Sequence, residues 1–489
     1  MLVIVSDLHL TDGTCDATPS PEMFFLFAER LRELAQRAAW RADGAFRPLE
    51  KIDVLLLGDV LDVIRSSHWT TNKVRPWHDP QAAHYTETVE TIVKGILTAN
   101  HTALDLLRKF GAQGLPCMSP GGESYRVPVR VHYMVGNHDW PLHLTGAPHD
   151  AIRALVVQGM SLANNPRYPF AHDPYESDEI LDVLRRHKVF ARHGDIYDPL
   201  NFAEDRDVSS LGDALNIEVV GRFLHTIQQD LSGDLSSLVL ANLHEIDNVR
   251  PLPMVPIYID GLLERACPQP ALRKRVKQTW DKLVDEFLAL DIVRRRDTWL
   301  PFDVVDGLRS VLQFAGRSPQ GWSNKVASWL QSTRGASTDS YYPQALAEQD
   351  FRNRRARHIV YGHTHQAEVV PLDASYADGV VLNQLYFNTG TWRRTHRSTM
   401  FAPHEHEFIP SESISVLSFF QADERSGRPF ETWTGTLGIS PSDAQLLRVD
   451  APQAAVPAPA TPVVASSAPA TNSPHFATSL LGRISKSIT

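Results

Sequence analysis

Residues 132–142 read HYMVGNHDWPL. A mostly apolar run closing at Val135 meets a glycine, an amide, an imidazole and a carboxylate with no linker between. The run predicts a buried strand that stops abruptly, with Asn137, His138 and Asp139 at its tip. A polar turn would account for three such side chains, and so would a bound group that they hold. The same form recurs in LVIVSDLH (2–9), DVLLLGDVLD (53–62), KVFARHGD (188–195) and HIVYGHTH (358–365). Five apolar runs that each end in Asp, Asn or His favour the bound group.

Continuous Val/Ile/Leu runs fit strands covered on both faces, and helical patterns lie between them. Residues 22–39 put Phe24, Phe27, Leu31 and Leu34 on one helical face, and 82–110 and 176–187 are also predicted helical. Such alternation predicts an α/β fold with ligands outside the carboxyl ends of its strands. Residues 68–128 read as an insertion containing a helix. In 201–350, Leu211, Leu215, Val219, Phe223, Ile227 and Leu231 recur every four residues, and 280–293 and 302–315 are similar. This segment is predicted to be a helical cap inserted into the α/β domain. Strands at 381–392, 414–421 and 429–435 would close that domain. The organisation expected is therefore 1–200 (first part), 201–350 (cap), 351–450 (second part) and 451–489 (tail). The tail is Pro/Ala-rich and predicted disordered, with Phe476, Leu480, Leu481 and Ile484 at helical spacing, suited to docking on a partner.

A formal charge of −9 argues against a general grip on nucleic acid. The local runs RNRRARH (352–358) and RRR (294–296) read as solvated faces. Cys15, Cys117 and Cys267 have no paired spacing, which fits a reducing compartment and no disulfide framework. No apolar run approaches the ~18 residues of a membrane span, and the first residues lack a leader's basic region. The expectation is a cytoplasmic protein without a transmembrane segment.

Collected, the strand tips offer Asp7 and His9; Asp59 and Asp62; Asn137, His138 and Asp139; His193; and His363 and His365. Carboxylate, imidazole and amide oxygen are ligands for borderline divalent metals such as Mn, Fe, Zn or Co. If the chain stays extended, Asp7-x-His9 directs both side chains to one face and one ion, and His363-x-His365 works the same way. Asp59 would bridge, and Asn137 with His193 would complete a second ion's shell.

The order D-x-H, G-D-x-x-D, G-N-H-D, H-G-D, G-H-T-H resembles the calcineurin-like metallophosphoesterase superfamily over roughly 1–200 and 355–440. That resemblance implies a four-layer α-β-β-α sandwich, here with a large helical cap insertion, and a dinuclear centre of Mn, Fe or Zn, with Mn foremost. It implies that Asp7, His9 and His365 serve one ion, that Asn137, His193 and His363 serve the other, and that Asp59 bridges. His138 would be the acid or transition-state stabiliser, with Asp139 orienting it. The implied activity is hydrolysis of a phosphodiester or pyrophosphate bond by metal-bridged hydroxide. SDLHL and the H-G-D before a helical insertion are most similar to the UDP-diacylglucosamine pyrophosphatase-like branch, which typically has arginine at the position of His138. The expected substrate is small, phosphorylated and nucleotide-type or nucleotide-linked. A DNA nuclease and a non-catalytic scaffold on the same fold are the alternatives.

Overall fold

Side chains alternate along each strand that ends in a polar tip, and the two sets enter different cores. In β1 (Leu2–Val5) and β2 (Ile52–Leu57), Val3, Val5, Val54 and Leu56 meet the helix Pro21–Ala38 through Phe24, Phe27, Leu31 and Leu34. Leu2, Ile4, Leu55 and Leu57 point the other way. They share a cluster with Val189 and Ala191 of β6 (Val189–Ala191), Val360 of β7 (His358–Tyr361) and Phe387 of β9 (Val380–Thr389). Phe190, Ile359, Tyr361 and Tyr386, the alternate residues of those three strands, pack with Tyr341 and Ala345. A period of two with both phases apolar is what a strand buried on both faces requires.

The structure is a computed structural model that describes residues 1–15, 18–202, 205–298, 303–314, 340–377, 380–398 and 408–438. The predicted disordered tail at 451–489, its docking segment and parts of the predicted cap lie outside the described residues.

The protein is mixed α/β. The first sheet runs β10 (Thr395–Ser398), β11 (Phe408–Phe419), β1, β2, β5 (Val129–Met134), with β12 (Phe430–Leu437) also paired to β11. β1 and β5 flank β2 in parallel, whereas β11 is antiparallel to β1. The second sheet runs β6, β7, β9, β8 (Ala367–Ala377), with β8 antiparallel to β9. All five tips thus leave the carboxyl ends of strands, three from the first sheet and two from the second.

The helix expected over 82–110 is two helices, Ala83–Ala99 and His101–Gln113, parted at Asn100. The insertion also holds a hairpin, β3 (Leu115–Met118) with β4 (Ser124–Val127), that its sequence did not reveal. β8 and β10 were likewise unforeseen.

Leu211, Leu215, Val219, Phe223, Ile227 and Leu231 are all buried in one helical core with Trp280 and Phe287. A spacing of four drifts about 40° per step on an α-helix. The chain takes up the drift with a π-helical turn at Asn216–Gly221 between Leu211–Leu215 and Arg222–Asp230. This region is tied to the sheets: Trp140 donates its indole N–H to Asp213 at 3.2 Å, and Val249 bridges to His396 of β10. Among the described residues no helix is long and apolar enough to cross a membrane.

Phe387 lies in the layer between the sheets, fully buried against the rings of His358, Phe419 and Phe430. Phe387→Ala should cost about 3–5 kcal/mol of stability in denaturant unfolding. A loss below about 1 kcal/mol would mean that the two sheets do not depend on this layer.

Candidate metal centre

Each strand stops one or two residues before its tip, and after β1, β2 and β7 the chain then turns left-handed. Asp7 (φ 53°), His9 (φ 47°), Asp59 (φ 52°), His363 (φ 67°) and His365 (φ 58°) all have positive φ. For residues with a Cβ this conformation is uncommon and costs energy, and such strain gathers at functional sites. It also corrects the expectation that the D-x-H and H-x-H pairs are extended. β1 ends at Val5 and β7 at Tyr361, so turn geometry, not a shared strand face, aims these side chains. Backbone bonds hold the turns, with Asp7 N donating to Gly58 O and His9 N to Asp59 O.

Two donor sets result. In the first, His9 Nε2 lies 3.0 Å from His365 Nε2 and 3.9 Å from Asp7 Oδ1, and His365 Nε2 lies 3.4 Å from the same oxygen. In the second, His193 Nε2 is 3.2 Å from both Asp59 Oδ2 and Asn137 Oδ1, and His363 Nδ1 is 2.9 Å from Asn137 Oδ1. His363 and His365 therefore go to different sets, contrary to the idea that the pair shares an ion. Asp59 Oδ2 stands 3.8 Å from His9 Nε2 as well, so it faces both sets.

The charges explain why such a cluster holds together. Asp7, Asp59, Asp62 and Asp139 are all buried. Burial lifts the Asp7 carboxyl to about 6 and lowers the His9 imidazole to about 4. Burial, with Arg250 and His9 adding to it, puts His365 well below its ordinary value. These rings are neutral and offer lone pairs. Asp59 behaves otherwise: burial opposes ionisation, but His193, His138 and His9 outweigh it and hold the carboxylate well below its usual range. Convergent imidazole and carboxylate donors around a buried anion could hold borderline divalent cations.

His138 and Asp139 stand differently from expectation. The carboxylate on His138 Nδ1 is that of Asp62, at 2.7 Å, and Asp62 Oδ2 also meets His9 Nδ1 at 2.8 Å. Asp139 instead accepts from Gly136 N (2.6 Å), Val60 N (2.8 Å) and the Tyr133 hydroxyl (2.6 Å). It builds the loop and does not orient His138, because the next residue in the chain points away. Burial holds His138 back from protonation, yet Asp62 and Asp59 raise its pKa. His138 N also donates to Asp59 Oδ1 at 2.8 Å.

Above the tips lies a cleft of about 320 Å³, walled on one side by residues 198–201 and 250–253. Asp198 Oδ2 is 3.1 Å from His363 Nε2, and Arg250 Nε donates to His365 Nδ1 at 3.2 Å. Arg65 and Arg397 also line it. The sequence drew no attention to Asp198, Arg250, Arg65 or Arg397. Asp62 stood among the tips without a role.

No protein-family model matches the chain, and no curated protein matches it.

Gly136 shows how tightly the tips are packed. A Cβ there would lie 2.6 Å from His193 Cδ2 and closer still to Asp59 Oδ1. Gly136→Ala should therefore push Asp59 and His193 apart and weaken Mn²⁺ binding at least ten-fold in a folded protein, as read by calorimetric titration. Unchanged affinity would contradict this arrangement.

Proposed function

We propose that the chain is a metallophosphoesterase of the calcineurin-like type. In this reading it uses two divalent ions to hydrolyse a phosphodiester or pyrophosphate bond in a small nucleotide-type or nucleotide-linked substrate. The observation that carries the reading is the pair of donor sets converging on one buried carboxylate, Asp59, below a cleft lined by arginines. Two sheets joined by a single apolar layer, with the helix Pro21–Ala38 outside one and Tyr341 and Ala345 outside the other, support the four-layer sandwich.

Asp7, His9 and His365 would hold one ion, and Asn137, His193 and His363 the other, with Asp59 between them. Ions so held would lower the pKa of bound water and withdraw charge from a phosphoryl group. The rest falls to the chain. His138 lines the cleft, and Asp62 fixes its Nδ1 side, leaving Nε2 as the nitrogen able to give a proton to a leaving oxygen. Arg65, Arg250 and Arg397 supply positive charge to non-bridging phosphate oxygens. A cleft of about 320 Å³ under residues 250–253 suits a small substrate better than duplex DNA, which favours this reading over a nuclease.

His138→Asn should retain Mn²⁺ while lowering kcat on a phosphodiester by the ~10²–10⁴-fold of a lost acid–base group. The loss should be smaller for bis-p-nitrophenyl phosphate, whose leaving group needs little protonation, than for an alkyl diester. Equal losses on both would overturn the role of His138, and undiminished turnover without divalent ions would overturn the reading itself.

A further inference from the structure

His172 is the least explained buried polar side chain among the described residues. It is 1 % exposed, and neither ring nitrogen meets a partner in good hydrogen-bonding geometry, its approach to the Val135 backbone being a weak one. Burial drives its pKa well below the ordinary value; Arg206, His143 and His193 add to the push, and the nearby Val135 backbone opposes it. A neutral imidazole left so in a protein interior forfeits a hydrogen bond's worth of solvation unless something else meets it.

What it faces is a set of metal-ligating groups distinct from the dinuclear centre. Donor atoms of His143, His172 and Asp207 all lie within 4.8 Å of one another. The His143 and His172 rings are 4.4 Å apart between centroids. His143 Nδ1 meets Asp207 Oδ1 at 2.5 Å, and His143 Nε2 lies 3.5 Å from Glu176 Oε2. The Glu176 carboxylate also accepts from His172 N at 2.8 Å, which holds it beside the cluster.

We propose that His143, His172 and Asp207 form a separate binding site for one divalent cation of the zinc class, with Glu176 on the Nε2 side of His143 orienting that ring. Two imidazoles and a carboxylate, with a position left for water, are a zinc-type donor set, whereas all-oxygen sites suit calcium or magnesium. The three ligands come from separate stretches. His143 follows the G-N-H-D tip, His172 follows Ala171, whose carbonyl accepts from Val135 N, and Asp207 opens the helical region. Arg206 beside Asp207 reaches Asp195, two residues beyond His193, at 3.0 Å. A cation here fastens the start of the helical region to the loops that carry the catalytic tips. Its role is positional, and it needs no part in the chemistry.

The test uses untagged full-length protein in which Asp59→Asn, His193→Ala and His365→Ala disable the dinuclear centre, with folding checked by circular dichroism. This protein should bind one equivalent of Zn²⁺ by elemental analysis after dialysis, and Zn²⁺ should raise its Tm. Adding His172→Ala, or separately Asp207→Asn, should abolish both effects. Wild-type protein saturated with Zn²⁺ should lose one equivalent, not all, with His172→Ala. If the dinuclear reading were wrong, wild type would bind a single ion that His172→Ala removes, so the two proposals fail separately. No Zn²⁺ on the folded background protein would overturn the site and leave His143 as an imidazolium paired with Asp207 and Glu176 only. Zn²⁺ binding that survives both substitutions would overturn it equally.

Discussion

The carboxylate of Asp59 is 1 % exposed, so its charge has to be met by neighbouring groups of the chain. His193 lies 3.2 Å from it, His9 3.8 Å, and the backbone N–H of His138 donates to its other oxygen. Burial lowers the charge-bearing tendency of His193, but Asp59 and Asp7 reverse this and raise its pKa well above ordinary. Each of these neighbours comes from a different strand tip. One buried anion therefore demands that four β-strand ends, its own included, and two sheets meet within a few ångströms, and much of the architecture serves that meeting.

That demand explains costs that are otherwise hard to account for. Five non-glycine residues in left-handed backbone are unfavourable singly. Gly58 and Gly136 admit no Cβ, because it would fall 2.6 Å from His193 Nδ1 at the first position and against Asp59 at the second. Rigid sheets with both faces covered keep the strained turns in place. The helical region adds a second restraint: Asp247 pairs with Arg65 at 2.8 Å and with Arg393 at 3.2 Å, and Asn248 accepts from Arg393. These contacts hold residues 250–253, and Arg250 with them, over the cleft.

The strands that carry the tips were legible because an apolar run breaking into Asp, Asn or His leaves a strong local signal. Pattern also found the helical core around Phe223, though not the π-turn that its spacing of four requires. Long-range partners were illegible. Asp62 meets His138 across 76 positions, and Arg250 meets His365 across 115, with no motif to announce either. Asp139 misled because it adjoins His138 in sequence, while neighbouring side chains diverge in space. The D-x-H geometry misled because nothing local reveals that β1 ends at Val5. β8 and β10 were missed because half-exposed strands lack the dense apolar runs that marked the others.

The central claim is that Asp59 joins two ions into one centre. Electron paramagnetic resonance of the Mn²⁺-loaded protein reads this directly, because ions sharing a carboxylate couple magnetically and isolated ions do not. The account predicts the spectrum of an exchange-coupled Mn²⁺ pair that Asp59→Asn abolishes. A spectrum of isolated Mn²⁺ alone in the fully loaded wild-type protein would contradict it.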